Sequence, residues 1–183
     1  MKLRVINNNA ITLMELIITT SVVGIIMLGV VSSDFAIRKQ ADLSFQANQA
    51  LMSGQSIVAN IMNTAIQAEG SFSNQGIVTG RGAENTFCIR YDQAADAWQC
   101  YSANAGSLYT CAKSSQASIG DCRSTDSGYK NLGAVSGSPN AVFLIDNTPG
   151  SQQVTFTVTV TVPVSGGTTK SITSSVNPPK HSA

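Results

Sequence analysis

An α+β fold, in which a long N-terminal helix with a transmembrane first half packs on a C-terminal antiparallel β-sheet, follows from three features of the chain. Residues 11–31 carry a single charged side chain, Glu15. An apolar period of three to four residues continues beyond that stretch to residue 69. From Ile77 onwards the period becomes that of strands.

As a helix rising ~1.5 Å per residue, residues 11–31 span ~31 Å, about the thickness of a bilayer's hydrocarbon core. A carboxylate within such a segment is costly, and by default it marks a functional site with a partner. A secretory signal peptide has a shorter apolar region, of ~7–15 residues, closed by a small-x-small cleavage site, and no such site closes this run. An ordinary single-pass anchor accounts for the hydropathy but not for the residues around Glu15. The core helix of a soluble domain rarely stays apolar for so long. Lys2 and Arg4 precede the span, so the positive-inside tendency leaves the first ten residues cytoplasmic and sends the rest across; Arg38 and Lys39 act against it.

Beyond the span, Ala47, Ala50, Leu51, Gly54, Ile57, Val58, Ile61, Ala65 and Ala68 form one apolar stripe, with Gln and Asn on the other faces. Residues 32–69 therefore continue the helix, which from Thr12 to Glu69 is ~87 Å long. Gly70, followed by Ser71, Ser73, Asn74 and Gly76, ends it. Gly24 and Gly29 are points of bending or close packing.

Residues 70–183 form the β-domain. Strands near 85–92, 96–103 and 107–112 read as a meander, and residues 113–140, rich in Ser, Gly, Asn and Asp, as a long loop. A strand over 141–146 precedes the turn Asn147-Thr148-Pro149-Gly150. Val154, Phe156, Val158, Val160 and Val162 then alternate with Thr155, Thr157, Thr159 and Thr161, the pattern of a half-buried strand whose Val row faces the helix stripe. A last strand near 169–177 runs into a short, disordered-looking tail. If Ile172 and Val176 share the Val face, pairing Val160 with Ile172 and Phe156 with Val176 centres the turn on Gly166. That favours the three-residue loop Ser165-Gly166-Gly167, with a glycine in the left-handed bulge position. The Thr row, beside Thr173 and Ser175, becomes a flat uncharged strip suited to a neighbouring subunit.

All four cysteines, Cys88, Cys100, Cys111 and Cys122, lie in the exported part, where disulfides form. A hairpin centred on Ala94 sets Cys88 opposite Cys100, leaving Cys111–Cys122 to close the following loop. A turn at 105/106 equally admits Cys100–Cys111; the first arrangement is preferred because its rival leaves Cys88 and Cys122 to pair over a longer separation. No Cys-x-x-Cys occurs and His181 is the single histidine, so no metal site and no cofactor are expected.

With 11 Lys+Arg against 10 Asp+Glu, a pI near 7.6 and 11% charged residues, the chain has no basic excess for nucleic acid. Arg81, Arg90, Lys113, Arg123 and Lys130 are scattered, and Trp98, Tyr101, Tyr109 and Tyr129 read as packing rather than a stacking platform. With one histidine, no His-based triad can be built, and Asp92, Asp96, Asp121 and Asp126 read as turn and loop residues. No enzymatic activity is expected.

The basic leader followed by Ala10, Ile11, Thr12, Leu13, Met14 and Glu15, with Gly24 farther along, resembles the class III signal of type IV pilins and type II secretion pseudopilins. Thr12, Leu13, Glu15 and Gly24 match in place. Ala10 stands where that family has Gly, Ile11 where it has Phe, and Ser32 where many major pilins have Pro. The last departure leans towards the minor subunits. Within the pilin-like ladle architecture, the helix end Asn60-Ile61-Met62-Asn63-Thr64-Ala65-Ile66-Gln67-Ala68-Glu69-Gly70 looks like that of the J-type pseudopilins and W-type minor pilins.

The resemblance implies that residues 1–10 are a leader removed between Ala10 and Ile11 by a prepilin peptidase, with N-methylation at Ile11. It implies that Glu15 of an incoming subunit pairs with the Ile11 amine of its neighbour as an inner-membrane assembly platform extrudes the filament. The implied partners are that peptidase, the platform, the lipid bilayer and other minor and major subunits, with no nucleic acid. The implied location is the inner membrane, with the C-terminal domain outside the cytoplasm, and later a periplasmic or cell-surface filament. The implied function is priming of assembly or a place at the tip of a type IV pilus or secretion pseudopilus. The alternatives are the major shaft subunit of a pilus or competence filament, or a tip adhesin or other binding module using loop 113–140 or the Thr-rich face.

Overall fold

The computed structural model describes residues 12–71, 74–146, 153–164, 167–179 and 181–182. One helix, α1 (Leu13–Ile66), is followed by β1 (Gly70–Ser71), β2 (Ile77–Arg81), β3 (Thr86–Asp92), β4 (Ala97–Asn104), β5 (Ser107–Lys113), β6 (Lys130–Ala134), β7 (Asn140–Asp146), β8 (Gln153–Val164), β9 (Thr168–Val176) and β10 (His181–Ser182). The fold is α+β, as the changes of period imply. The chain divides into two compact units at the Ser44–Phe45 boundary, so the second half of α1 belongs with the strands.

The strands form an antiparallel five-stranded sheet in the order β2-β3-β4-β5-β6 and an antiparallel three-stranded sheet in the order β7-β8-β9. Both bury one face on α1. Ile57, Val58, Ile61, Met62 and Ala65 of the helix share one core with Phe87, Ile89, Tyr101 and Leu108 of the larger sheet and with Phe156, Val158, Val160 and Val162 of the smaller. Gly54 lets the helix approach closely, since a Cβ there would lie 2.5 Å from the Ile172 side chain and 2.9 Å from that of Val162. Ala47, Ala50 and Leu51, at the upper end of the stripe, are half-buried.

The β8–β9 register is Val160 opposite Ile172 and Phe156 opposite Val176. The ladder continues to Val164 opposite Thr168, which leaves a three-residue connection, and Gly167 has a φ of 76°. Cys88 stands opposite Cys100 in the β3–β4 ladder. Disulfides join Cys88 to Cys100 and Cys111 to Cys122, the preferred connectivity.

Three expectations need correction. The stretch 113–140 is not one loop, because a 3₁₀ turn, Gln116–Ser118, and strand β6 lie within it. The stretch after β9 is not a loose tail where it is described: Pro178 is buried, and β10 pairs in parallel with β1. The helix ends at Ile66 rather than Glu69, closing through Gln67 N–H to Thr64 O and Ala68 N–H to Ala65 O.

A buried arginine holds the helix exit. Arg90 is 2% exposed. It donates through Nε to the Glu69 carbonyl (3.1 Å), through Nη1 to Asn74 Oδ1 (3.1 Å) and through Nη2 to the Asn74 carbonyl (2.8 Å). Its guanidinium carbon is 5.2 Å from the centre of the Trp98 ring. A desolvated cation is tolerated here because oxygens and an aromatic face replace its water.

Tyr101 ties the larger sheet to the helix, with its hydroxyl 2.9 Å from Thr64 Oγ1. Burial pushes its pKa up to about 12, against the opposing effect of hydrogen bonds from Thr64 and Thr110. The phenol of the unfolded chain ionises near ~10, so the contribution of Tyr101 is complete below that pH and is lost as pH rises towards ~12. Tyr101→Phe should flatten the alkaline loss of stability between pH ~9 and ~12. Urea unfolding of the chain in micelles, followed by Trp98 fluorescence, measures the slope; an unchanged slope would assign the loss to other groups.

Candidate functional site

The cleavage pair Ala10 and Ile11 lies outside the described residues. The residues that follow them form the start of α1. The Glu15 N–H donates to Thr12 Oγ1 (3.3 Å), while Glu15 Oε2 accepts from the Thr12 N–H and hydroxyl, each at 3.4 Å. This reciprocal arrangement is a capping box, which satisfies otherwise orphaned amides at a helix start. Its Thr-x-x-Glu signature is present in the sequence, overlapping the signal-like run. Glu15 thus has a local task in the isolated chain, and its negative charge also favours a helix N-terminus.

The rest of the first unit is built for an apolar surrounding. Its 18-residue window of highest hydropathy is 0% buried by the chain itself, and the helix is long and apolar enough to cross a membrane. The hydroxyls of Thr19, Thr20 and Ser21 donate back to carbonyls three and four residues earlier, and those of Ser32 and Ser33 both donate to Gly29 O. Such back-bonding leaves no hydroxyl proton in need of water. At Gly24 and Gly29 a Cβ would meet nothing within 4 Å, so the surface above both is open. Leu13 is likewise exposed.

Exposed apolar side chains do not stop at Val31. Phe35 (71%), Ile37 (65%), Phe45 (63%) and Met52 (71%) continue them, alongside the exposed ion pair Asp34–Arg38 at 2.9 Å. At 100° per residue Ile37, Met52 and Phe45 fall within about 80° of one another and Phe35 about 80° beyond them, so the four share one half of the helix circumference. The hydrocarbon span of residues 11–31 does not cover them.

A second uncovered surface is the outer face of the three-stranded sheet. Thr155, Thr157, Thr159 and Thr161 are half-buried there, and the pairing brings Ser175, Thr173 and Ser171 beside them. Thr159 bonds to Thr173 (2.8 Å) and Thr161 to Ser171 (2.9 Å) through their hydroxyls. The β7 pairing adds Val142 opposite Thr157 and Leu144 opposite Thr155, exposed by 40% and 61%. The sequence placed the Thr row but not these two aliphatic neighbours, because the face of β7 depends on its register with β8.

Cys88, Cys100, Cys111 and Cys122 pack with Trp98 as a small core on the opposite side of the five-stranded sheet from the helix. The Asp121 carboxylate accepts from Ala83 N–H (3.0 Å), Glu84 N–H (3.3 Å) and Thr86 Oγ1 (2.6 Å). Burial raises its pKa, but these bonds outweigh it and hold the carboxyl below the usual range. The Asp residues of this region therefore organise loops. Among the described residues, no group of three His, Cys, Asp or Glu side chains could hold a metal ion.

Compared with known proteins, the chain matches no family, no curated protein and no solved structure. Its function is therefore argued from its own surfaces.

Proposed function

We infer that this chain is a minor pilin or pseudopilin, a structural subunit that primes assembly, or forms part of the tip, of a type IV pilus or type II secretion pseudopilus. The observation that carries the reading is the exposure of Phe35, Ile37, Phe45 and Met52 over one half of α1 beyond the hydrocarbon span. An exposed apolar half-face of a helix calls for burial against a partner on that side. Neighbouring helices in a filament core supply that cover, and the bilayer supplies it for residues 11–31 before assembly.

The signal-like run from Ala10 to Glu15 gives this helix a processing site and a charge. Cleavage before Ile11 creates an amine four residues from Glu15, so the carboxylate has two possible tasks, its own capping box and a neighbour's amine. The α+β architecture, with the second half of α1 seated on two antiparallel sheets, fits a pilin-like ladle. Ser32 at the family's Pro position favours the minor class.

Three outcomes test this reading. The mature chain should begin at Ile11, as read by intact mass of the membrane or filament fraction; a start at Met1 or beyond Val31 would remove the signal from the argument.

Replacing Glu15 separates cap from charge. Gln retains the hydrogen-bonding pattern of a capping box, whereas Ala loses it. If the charge pairs with an amine, Glu15→Gln and Glu15→Ala should both insert into the membrane and both fail to enter filaments. Normal incorporation of Glu15→Gln alone would reduce Glu15 to a helix cap.

Thr157→Lys with Thr159→Lys should leave unfolding within about 1 kcal/mol of the parent, since both side chains lie on the outer face. Co-purification with neighbouring subunits should be lost; retained assembly would assign that face to solvent.

A further inference from the structure

An open groove of about 480 Å³ lies between the turn joining β3 to β4 and the connection from β5 to β6. That volume is within the ~300–1,000 Å³ of small-molecule sites. Both of its walls are fixed. On the turn side, Asp92 Oδ1 accepts from Ala95 N–H (3.0 Å), and Asp96 accepts from Trp98 Nε1 through one oxygen and from Gln116 N–H through the other, each at 2.8 Å. On the opposite side, Lys113 Nζ meets Asp126 Oδ2 at 2.7 Å, the same oxygen accepts from Arg123 N–H at 2.7 Å, and Ala112 N–H donates to Ser127 O at 2.8 Å. The Cys111–Cys122 bridge closes that connection onto β5. A groove held in this way loses little freedom when it is filled.

Its chemistry is specific in three respects. Ala95, Ala97 and Ala112 supply short side chains where larger ones would fill the space. Tyr91, 39% exposed, adds an aromatic surface. Ser114, Thr125 and Ser127 contribute hydroxyls that make no hydrogen bond to the described residues. The two charges present, Lys113 and Asp126, neutralise each other, with side chains 12% and 19% exposed.

An anionic ligand would have to break that ion pair, and a purely apolar one would strip water from the free hydroxyls without replacing it. A pyranose ring has both complements. Its C–H face suits the negative face of an aromatic ring, and its hydroxyls both donate and accept. We propose that this groove binds one neutral sugar ring. The proposal is independent of the filament reading, because it rests only on the domain that carries the groove.

The test is saturation-transfer NMR on the full chain in micelles of a detergent without a sugar headgroup. The probes are methyl β-galactopyranoside, methyl α-glucopyranoside, methyl α-mannopyranoside and N-acetylglucosamine, with glucuronic acid as the charged control. At least one neutral probe should show saturable transfer, strongest at its ring C–H protons. Tyr91→Ala should weaken it by about tenfold, the loss of one ring contact. Ala95→Leu, at an exposed turn position, should abolish it by filling the space. No saturable transfer from any neutral probe, preference for glucuronic acid, or binding unchanged in both variants overturns the proposal.

Discussion

The contact on which the folded unit depends is the burial of Ile57, Ile61 and Ala65 between two sheets that do not pair with each other. Ladder hydrogen bonds hold each sheet together internally but do not pair β2 through β6 with β7 through β9; outside the ladders Ser136 N–H donates to Thr161 O at 2.7 Å. The helix supplies the apolar join, by presenting side chains to Phe87, Tyr101 and Leu108 on one sheet and to Phe156, Val158 and Val160 on the other. Each such side chain contributes about 1.5–3 kcal/mol when fully buried. Gly54 brings the axis close enough to β8 and β9 for this to happen, and the Tyr101–Thr64 bond fixes the rotation of the helix about its axis. Arg90 then closes the exit, bonding to the Glu69 and Asn74 carbonyls between the helix and β2.

One helix therefore meets two solvents. Its second half is covered by the chain's own sheets, whereas the apolar window of its first half is exposed among the described residues. The first half compensates locally, with back-bonded hydroxyls at Thr19, Thr20, Ser21, Ser32 and Ser33 and with the Thr12–Glu15 box at its start. These are the adjustments demanded when backbone and hydroxyl groups must be satisfied without water. In the proposed filament, capping and intersubunit pairing compete for one carboxylate. The box is long, at 3.3–3.4 Å, so an amine that offers a charged partner has little to displace.

The legible parts of the fold were those with a period or a turn. Alternation gave β8, the shared face of Val160 and Ile172 gave the β9 register, and the Ala94-centred hairpin gave the Cys88–Cys100 bridge. Strand β6 escaped because Lys130-Asn131-Leu132-Gly133-Ala134 has a glycine and no alternation, and it exists only because β5 offers an edge. The β1–β10 bridge escaped because two residues carry no period. Arg90 reads as an ordinary strand cation, and its burial depends on backbone oxygens that no sequence pattern announces. The groove beside Tyr91 was equally invisible, since its walls meet only after β3, β4 and β5 have paired. The capping box is legible as Thr-x-x-Glu, but the same residues also spell a signal, which masks it.

In the proposed filament, the Thr face would let a subunit wait in one state and pack in another. Charged side chains on a sheet face resist burial, and a fully aliphatic face would associate with anything. Here the hydroxyls of Thr159 and Thr161 are already satisfied by Thr173 and Ser171, so covering them costs less than covering free hydroxyls. Val142 and Leu144 add a limited apolar gain at one side of the same face. The result is weakly wetted and weakly adhesive, favourable to bury only when a neighbour is already held close. For a subunit concentrated by its membrane helix, that proximity supplies the missing free energy as effective concentration rather than as contact area. In the proposed filament, such an interface would form where the helices assemble, and not before.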